Sequence, residues 1–216
     1  MAEPRPNPIP LYLAWVGALC GSQLLLLGDV FPVRLPFVRP DTLFVCLVEV
    51  ELAFVIFVWP WFLPFLTESA APARRIVPRL LLEAGLLLIA ALPLGIVAAN
   101  VSNVGVGEFL GSQGLVAALA GFAVALFSTG RERRWPVAAG YVILSFGLSA
   151  FLPFLWLVAS TIAIADLSWL SRVSPFWAAA CGQAVWPAAI FGALAAVLLA
   201  VGASSRPGMD APARAG

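Results

Sequence analysis

The chain has 216 residues, of which 62% are hydrophobic and 11% charged, with a formal net charge of +1. A soluble domain averages about 45–50% apolar and about 25% charged residues, so this chain has too little polar surface to wrap a water-soluble globule. Composition therefore disfavours a soluble enzyme, a nucleic-acid binder and a disordered chain together, and points to an all-α, polytopic transmembrane helix bundle embedded in lipid.

The absences narrow the chemistry. There is no His, which removes His-built zinc sites, Ser-His catalysis and His proton relays. All twelve basic residues are Arg. Without Lys there is neither a GxxxxGK[ST] phosphate loop nor a Schiff-base lysine. The missing Lys, beside abundant Ala, Pro, Gly and Arg, also fits a GC-rich genome. Cys20, Cys46 and Cys181 each sit in an apolar run with no CxxC spacing, and read as small buried hydrophobes. The expectation is a chain that is not an enzyme and holds no metal or cofactor of its own.

In chain order, residues 1–10 form a Pro-rich segment expected to be irregular. Arg5 followed by an apolar run imitates a signal peptide, but Leu19 precedes Cys20 where a small residue is needed, and the run continues past it. An uncleaved first helix is expected. Crossing the hydrocarbon layer takes about 20 apolar residues, and six runs qualify as spans within residues 11–203: Leu11–Gly28, Leu43–Leu66, Leu80–Ala99, Phe109–Thr129, Val137–Ala165 and Phe176–Ala203. The fifth is longer than one straight span and holds Pro153, which predicts a break with the remainder interfacial or re-entrant. Residues 204–216 are polar and rich in Pro and Gly, and predict a disordered tail.

Loop charge sets the orientation. Arg5, Arg74, Arg75, Arg79, Arg131, Arg133, Arg134, Arg206 and Arg214 fall on one side of a six-span chain; Arg34, Arg39 and Arg172 fall on the other. Nine against three predicts cytoplasmic N- and C-termini, most simply in a bacterial cytoplasmic (inner) membrane. Trp15, Trp59, Trp61, Trp135, Trp169 and Trp177 mostly lie near span ends, as an aromatic belt requires.

Glu49 and Glu51 are the most unusual residues, lying inside the second span. An acid at the centre of a span costs about 2.5–3.5 kcal/mol on insertion scales, so lipid exposure is disfavoured. Two residues apart is about 200° of helix rotation, which puts the carboxylates on different faces. Either they line a transport path or exchange protons, or they are structural acids paired with Arg34, Arg39 or a neighbouring helix. The loop TESAAPARRIVPR, with Glu68, Arg74, Arg75 and Arg79, is either a solvated positive-inside loop or a docking surface for a cytoplasmic protein. Glu83 stands four residues from Arg79, a spacing that permits an ion pair. Pro60 and Pro64 bend the end of the second span. Gly17 and Gly21 form a GxxxG, and small residues cluster in the fourth span (Gly114, Ala117, Gly121) and the sixth (Ala178, Gly182, Ala195). All permit close helix packing, within one bundle or between subunits. Asp166 and Arg172 can form a surface pair of little worth. Asn100-Val101-Ser102 is a formal glycosylation sequon, relevant only in a secretory-pathway host.

Three stretches resemble the permease subunits of type-2 ABC exporters. TESAAPARRIVPRLLLEAGLLLIAALPL is similar to their acid-then-basic docking stretch, though without an acid-Gly-Thr run. LVAALAGFAVALFSTGRERRWPVAAGYVILSFGLSAFLP is similar to their fourth span, basic turn and fifth span. LSWLSRVSPFWAAACGQAVWP resembles their Ser-Pro entry into the sixth span. Haem-exporter B-type permeases, of similar length, are a candidate relative. The resemblance implies a homo- or hetero-oligomer around a substrate path, no nucleic-acid partner, and a separate cytoplasmic ATPase docked at Glu68, Arg74, Arg75 and Arg79 that carries the ATP. Three other readings stay open: a non-transporting membrane scaffold or anchor, a proton-driven transporter using Glu49 or Glu51, and an intramembrane enzyme. The last lacks convergent polar residues.

Overall fold

The computed structural model describes residues 8–26, 43–64, 66, 73–129, 134–147, 151, 155, 158 and 174–204. Among these residues the chain is all-helical, with no strand. The helices are α1 (Ile9–Leu26), α2 (Leu43–Phe57), α3 (Trp59–Phe62), α4 (Ala73–Val101), α5 (Val106–Thr129), α6 (Arg134–Phe146), α7 (Pro175–Ala180) and α8 (Val185–Ser204). Among the described residues, three stretches are long and apolar enough to cross a membrane: Leu43–Phe62, Ile76–Val101 and Val106–Thr129. Ile9–Leu24 and Val185–Val201 are apolar but shorter.

Side-chain contacts fix the helix directions. Tyr12 meets Glu83 and Trp15 meets Leu87, so α1 and α4 are parallel. Phe44 packs on Phe109 and Glu51 reaches Gln113, so α2 and α5 are parallel. A short turn folds α4 back on α5. Glu108 lies against Gly182 and Phe122 against Phe191, so α8 follows α5. Tyr141 packs on Phe122, and Val137 lies beside Phe127, so α6 opposes α5. Thus α1, α4 and α6 run one way and α2, α5 and α8 the other.

α5 is the central helix, packed most extensively on α8 and touching α2, α4 and α6. Trp15, Phe44, Trp59, Tyr141 and Phe191 are the bulkiest buried side chains. α4 is peripheral: 28% of its apolar stretch is buried, against 61% for Leu43–Phe62 and 56% for α5. Its outer face carries exposed Leu82, Ile89, Ile96 and Val97. Such a face is stable against lipid and not against water.

Several helix boundaries differ from the sequence expectation. α1 begins at Ile9 rather than Leu11, because Pro10 in a first turn lacks only an N–H that has no intrahelical partner anyway. Arg74, Arg75 and Arg79 are not in a loop. They belong to the first turns of α4, where Ile76 and Leu80, four apart, are both buried and anchor the helix end. Pro78 and Pro93 lie inside α4 without ending it.

The run Phe176–Ala203 is two helices, not one. Ser174 caps α7, its Oγ accepting from Trp177 N at 3.4 Å, and Pro175 occupies the first turn. α7 then stops at a Gly-type cap: Gln183 N donates to Ala178 O (2.8 Å) and Gly182 N to Ala179 O (3.3 Å), with Gly182 at φ +67°. That left-handed residue ends the helix, and a Cβ there would also strike the Glu108 carboxylate at 3.1 Å. The Ser-Pro pair therefore opens a short helix rather than the long one. The same hydrogen-bond pattern closes α4, with Asn103 (φ 54°) in the left-handed position and Val104 N donating to Ala99 O at 2.9 Å.

Candidate functional site

Glu51 lies about 12 Å along α2 from Leu43 and Gln113 about 10 Å along α5 from Val106, so parallel packing brings the two to one level. Gln113 Nε2 donates to Glu51 Oε2 at 2.8 Å. Glu51 is fully buried. Its Oε1 and the Gln113 Oε1 have no hydrogen-bond partner. Both are acceptors, so the pair lacks donors, a costly arrangement away from water. α4 makes room through Gly95, where a Cβ would sit 3.3 Å from Phe109 and 3.9 Å from Gln113 Nε2. The Phe44 and Phe109 rings pack with centroids 5.9 Å apart, and Phe44 N donates to Ser102 Oγ at 3.0 Å.

Glu49 is separated from this pair. It is half-buried, on another face of α2, as the 200° rotation between them requires. The two acids therefore do not form one site. Arg34 and Arg39, the sequence-level candidates for pairing, lie outside the described residues.

A second polar contact joins α1 to α4. Tyr12 Oη donates to Glu83 Oε2, and one turn further Trp15 Nε1 donates to Leu87 O at 2.8 Å. Glu83 thus pairs with Tyr12; among the described residues it makes no ion pair with Arg79, which is exposed. Between these two polar contacts the interior is apolar. A cavity of about 10 Å³, walled by Trp15, Phe54, Trp59, Leu87 and Ala120 among others, has no polar lining, so it is small and dry.

Among the described residues, a Cβ at Gly17 or Gly21 would meet nothing within 4 Å. Gly114 and Gly121 on α5 are equally open. Among the docking candidates, Arg79 is exposed at the start of α4, Arg74 and Arg75 lie in its first turn, and Glu68 is outside the described residues, as are Asp166, Arg172 and Pro153. Asn100 is exposed, while the sequon's Ser102 hydroxyl is engaged by Phe44 N.

Gln113 and Tyr12 were not singled out from sequence. Gln113 was detectable as a polar residue inside an apolar run, where lipid tolerates few. Tyr12 was not, because its partner is 71 residues away. Among the described residues no group of His, Cys, Asp and Glu could hold a metal ion. No protein-family model, curated protein or solved structure matches this chain.

Proposed function

We propose that the chain is the membrane-embedded permease subunit of an ABC-type exporter, crossing a bacterial inner membrane six times with both termini in the cytosol. Two copies, or this chain and a related one, enclose the substrate path, and a separate ATPase docks at the Arg74–Arg79 end of α4. The observation that carries this reading is the alternation of helix directions. It puts the start of α1, the start of α4, the end of α5, the start of α6 and the end of α8 at one end of the bundle, and nine of the twelve Arg lie, in sequence, within about ten residues of those helix ends. Further support comes from the exposure of Arg79 at that end and from the open Gly17–Gly21 face, which suits a subunit contact.

A scaffold or anchor role is the second reading. What favours it is the small size of two interior cavities among the described residues, about 10 Å³ each. In the permease reading the path then runs between subunits and Glu51 is a structural acid or lines the path only in another state.

Purification in mild detergent from the native host separates the two. The permease reading expects a co-purifying protein with Walker motifs. It further expects Arg74→Glu with Arg75→Glu to weaken that association without impairing membrane insertion. Recovery of the chain at good yield with no ATPase would count against it.

A further inference from the structure

We propose that Val58–Pro60 is a hinge in the second apolar stretch, and that the Tyr141 hydroxyl of α6 is the latch that holds it closed. This inference is independent of the exporter reading. Four observations meet at one place. First, the helix is distorted: α2 ends at Phe57, Val58 (φ −107°, ψ −50°) stays helical and donates its N–H to Phe54 O at 2.8 Å, and α3 starts at Trp59. Pro60 has no N–H for Ile56 O, so the backbone ladder loses a rung, and Trp61 N bonds Val58 O at 3.1 Å in the tighter i→i−3 manner.

Second, a third helix ties α2 to α5 just before the break. Tyr141 Oη, fully buried, lies 3.2 Å from Leu119 O of α5 and 3.5 Å from Val55 O of α2. One hydroxyl proton thus spans two carbonyls on two helices, just below the interruption. Third, voids flank the break on both sides. One is bordered by Phe54, Val55 and Trp59, the other by Pro60, Leu63 and Tyr141, each about 10 Å³. Each is about the size of one water, so packing beside the broken ladder is loosened without opening a path. Fourth, Trp59 is buried with its indole Nε1 unpartnered. The closed arrangement leaves a donor unsatisfied that a swing of α3 can offer to another acceptor.

A bare proline kink needs only the first observation. The latch adds a tie between three helices about one turn before Trp59, and it makes a local prediction. With the full chain in lipid nanodiscs, amide hydrogen exchange by mass spectrometry is compared between peptides covering residues 57–64, the first turns of α2, and α5. In the unsubstituted chain the 57–64 amides exchange faster than both references. Tyr141→Phe keeps the ring and removes the latch. It raises exchange at 57–64 about five- to tenfold, the worth of one hydrogen bond, and leaves the start of α2 unchanged. Pro60→Ala restores a donor for Ile56 O and slows exchange at 57–64 by about tenfold or more. The proposal is overturned if Tyr141→Phe leaves 57–64 unchanged or speeds every helix alike. It is equally overturned if Pro60→Ala fails to slow that segment, a test that stands even where Tyr141→Phe does not fold.

Discussion

The α2–α5 and α1–α4 interfaces each carry one acid, yet the acids are treated differently. Glu51 is fully buried, receives one amide hydrogen bond and keeps an unpartnered oxygen. Glu83 is half-buried, takes the Tyr12 hydroxyl, and is supported one turn away by the Trp15 indole on Leu87 O. Lipid tails are as apolar as Leu, so apolar contact alone does little to bring helices together in a membrane. Polar side chains that find partners on a neighbouring helix fix which helices meet. At the centre the polar bridge is imperfect and enclosed by packing; at the periphery it is better satisfied and encloses little. Incomplete pairing is tolerated where the surroundings hold the groups in place, which is where function tends to sit.

The comparison can be broken in order of expected effect, by measuring unfolding in detergent. Trp15→Ala removes a buried ring packed 4.6 Å from Phe54 together with the hydrogen bond to Leu87 O, and should cost about 3–5 kcal/mol. Trp15→Phe should recover most of that, because packing rather than the hydrogen bond is the larger part. Glu51→Leu leaves the Gln113 amide without its acceptor and should cost about 1–3 kcal/mol, whereas Glu51→Gln keeps the shape and an acceptor and should cost less. Equal losses for the two variants would mean that the charge, not the hydrogen bond, matters at Glu51. Tyr12→Phe should cost about 0.6–2 kcal/mol, the range for interhelical hydrogen bonds in membranes. The smallest effect belongs to the outer face of α4. Leu82→Ala and Ile89→Ala, at 63% and 62% exposure, should change stability by no more than about 0.5 kcal/mol. A loss near that of Trp15→Ala would show that the face is covered by another subunit.

The helical class and the apolar segments were legible because a run without polar interruptions reads the same way wherever it folds. Which face of each helix turns inward was not. α1, α2, α5 and α8 are apolar all round, so they have no polar stripe to mark the outside. That is why the GxxxG of α1 suggested close packing without naming a partner helix, and why Glu51 and Glu49 could be placed on different faces but not assigned to a neighbour. The division of the last segment was hidden for another reason. Gly182 ends α7 through a left-handed backbone conformation, and a glycine inside an apolar run carries no sign that its φ is positive. The start of α4 was misjudged because Arg and Pro suggested a loop, while the i, i+4 anchor of Ile76 and Leu80 holds those residues helical.

The central claim is that the bundle is sided, with its Arg-rich end in the cytosol. Labelling with a membrane-impermeant maleimide tests it directly, with one thiol per chain: Cys20 and Cys46 are replaced by Ala throughout, and Cys181 also in the Asn103→Cys and Thr129→Cys chains. Native Cys181, exposed at the α7–α8 turn, and Asn103→Cys in the α4–α5 turn mark one end; Thr129→Cys at the end of α5 marks the other. The account predicts that Cys181 and Asn103→Cys label in intact cells and that Thr129→Cys labels only after permeabilisation. Labelling of Thr129→Cys in intact cells, with Asn103→Cys protected, would contradict it.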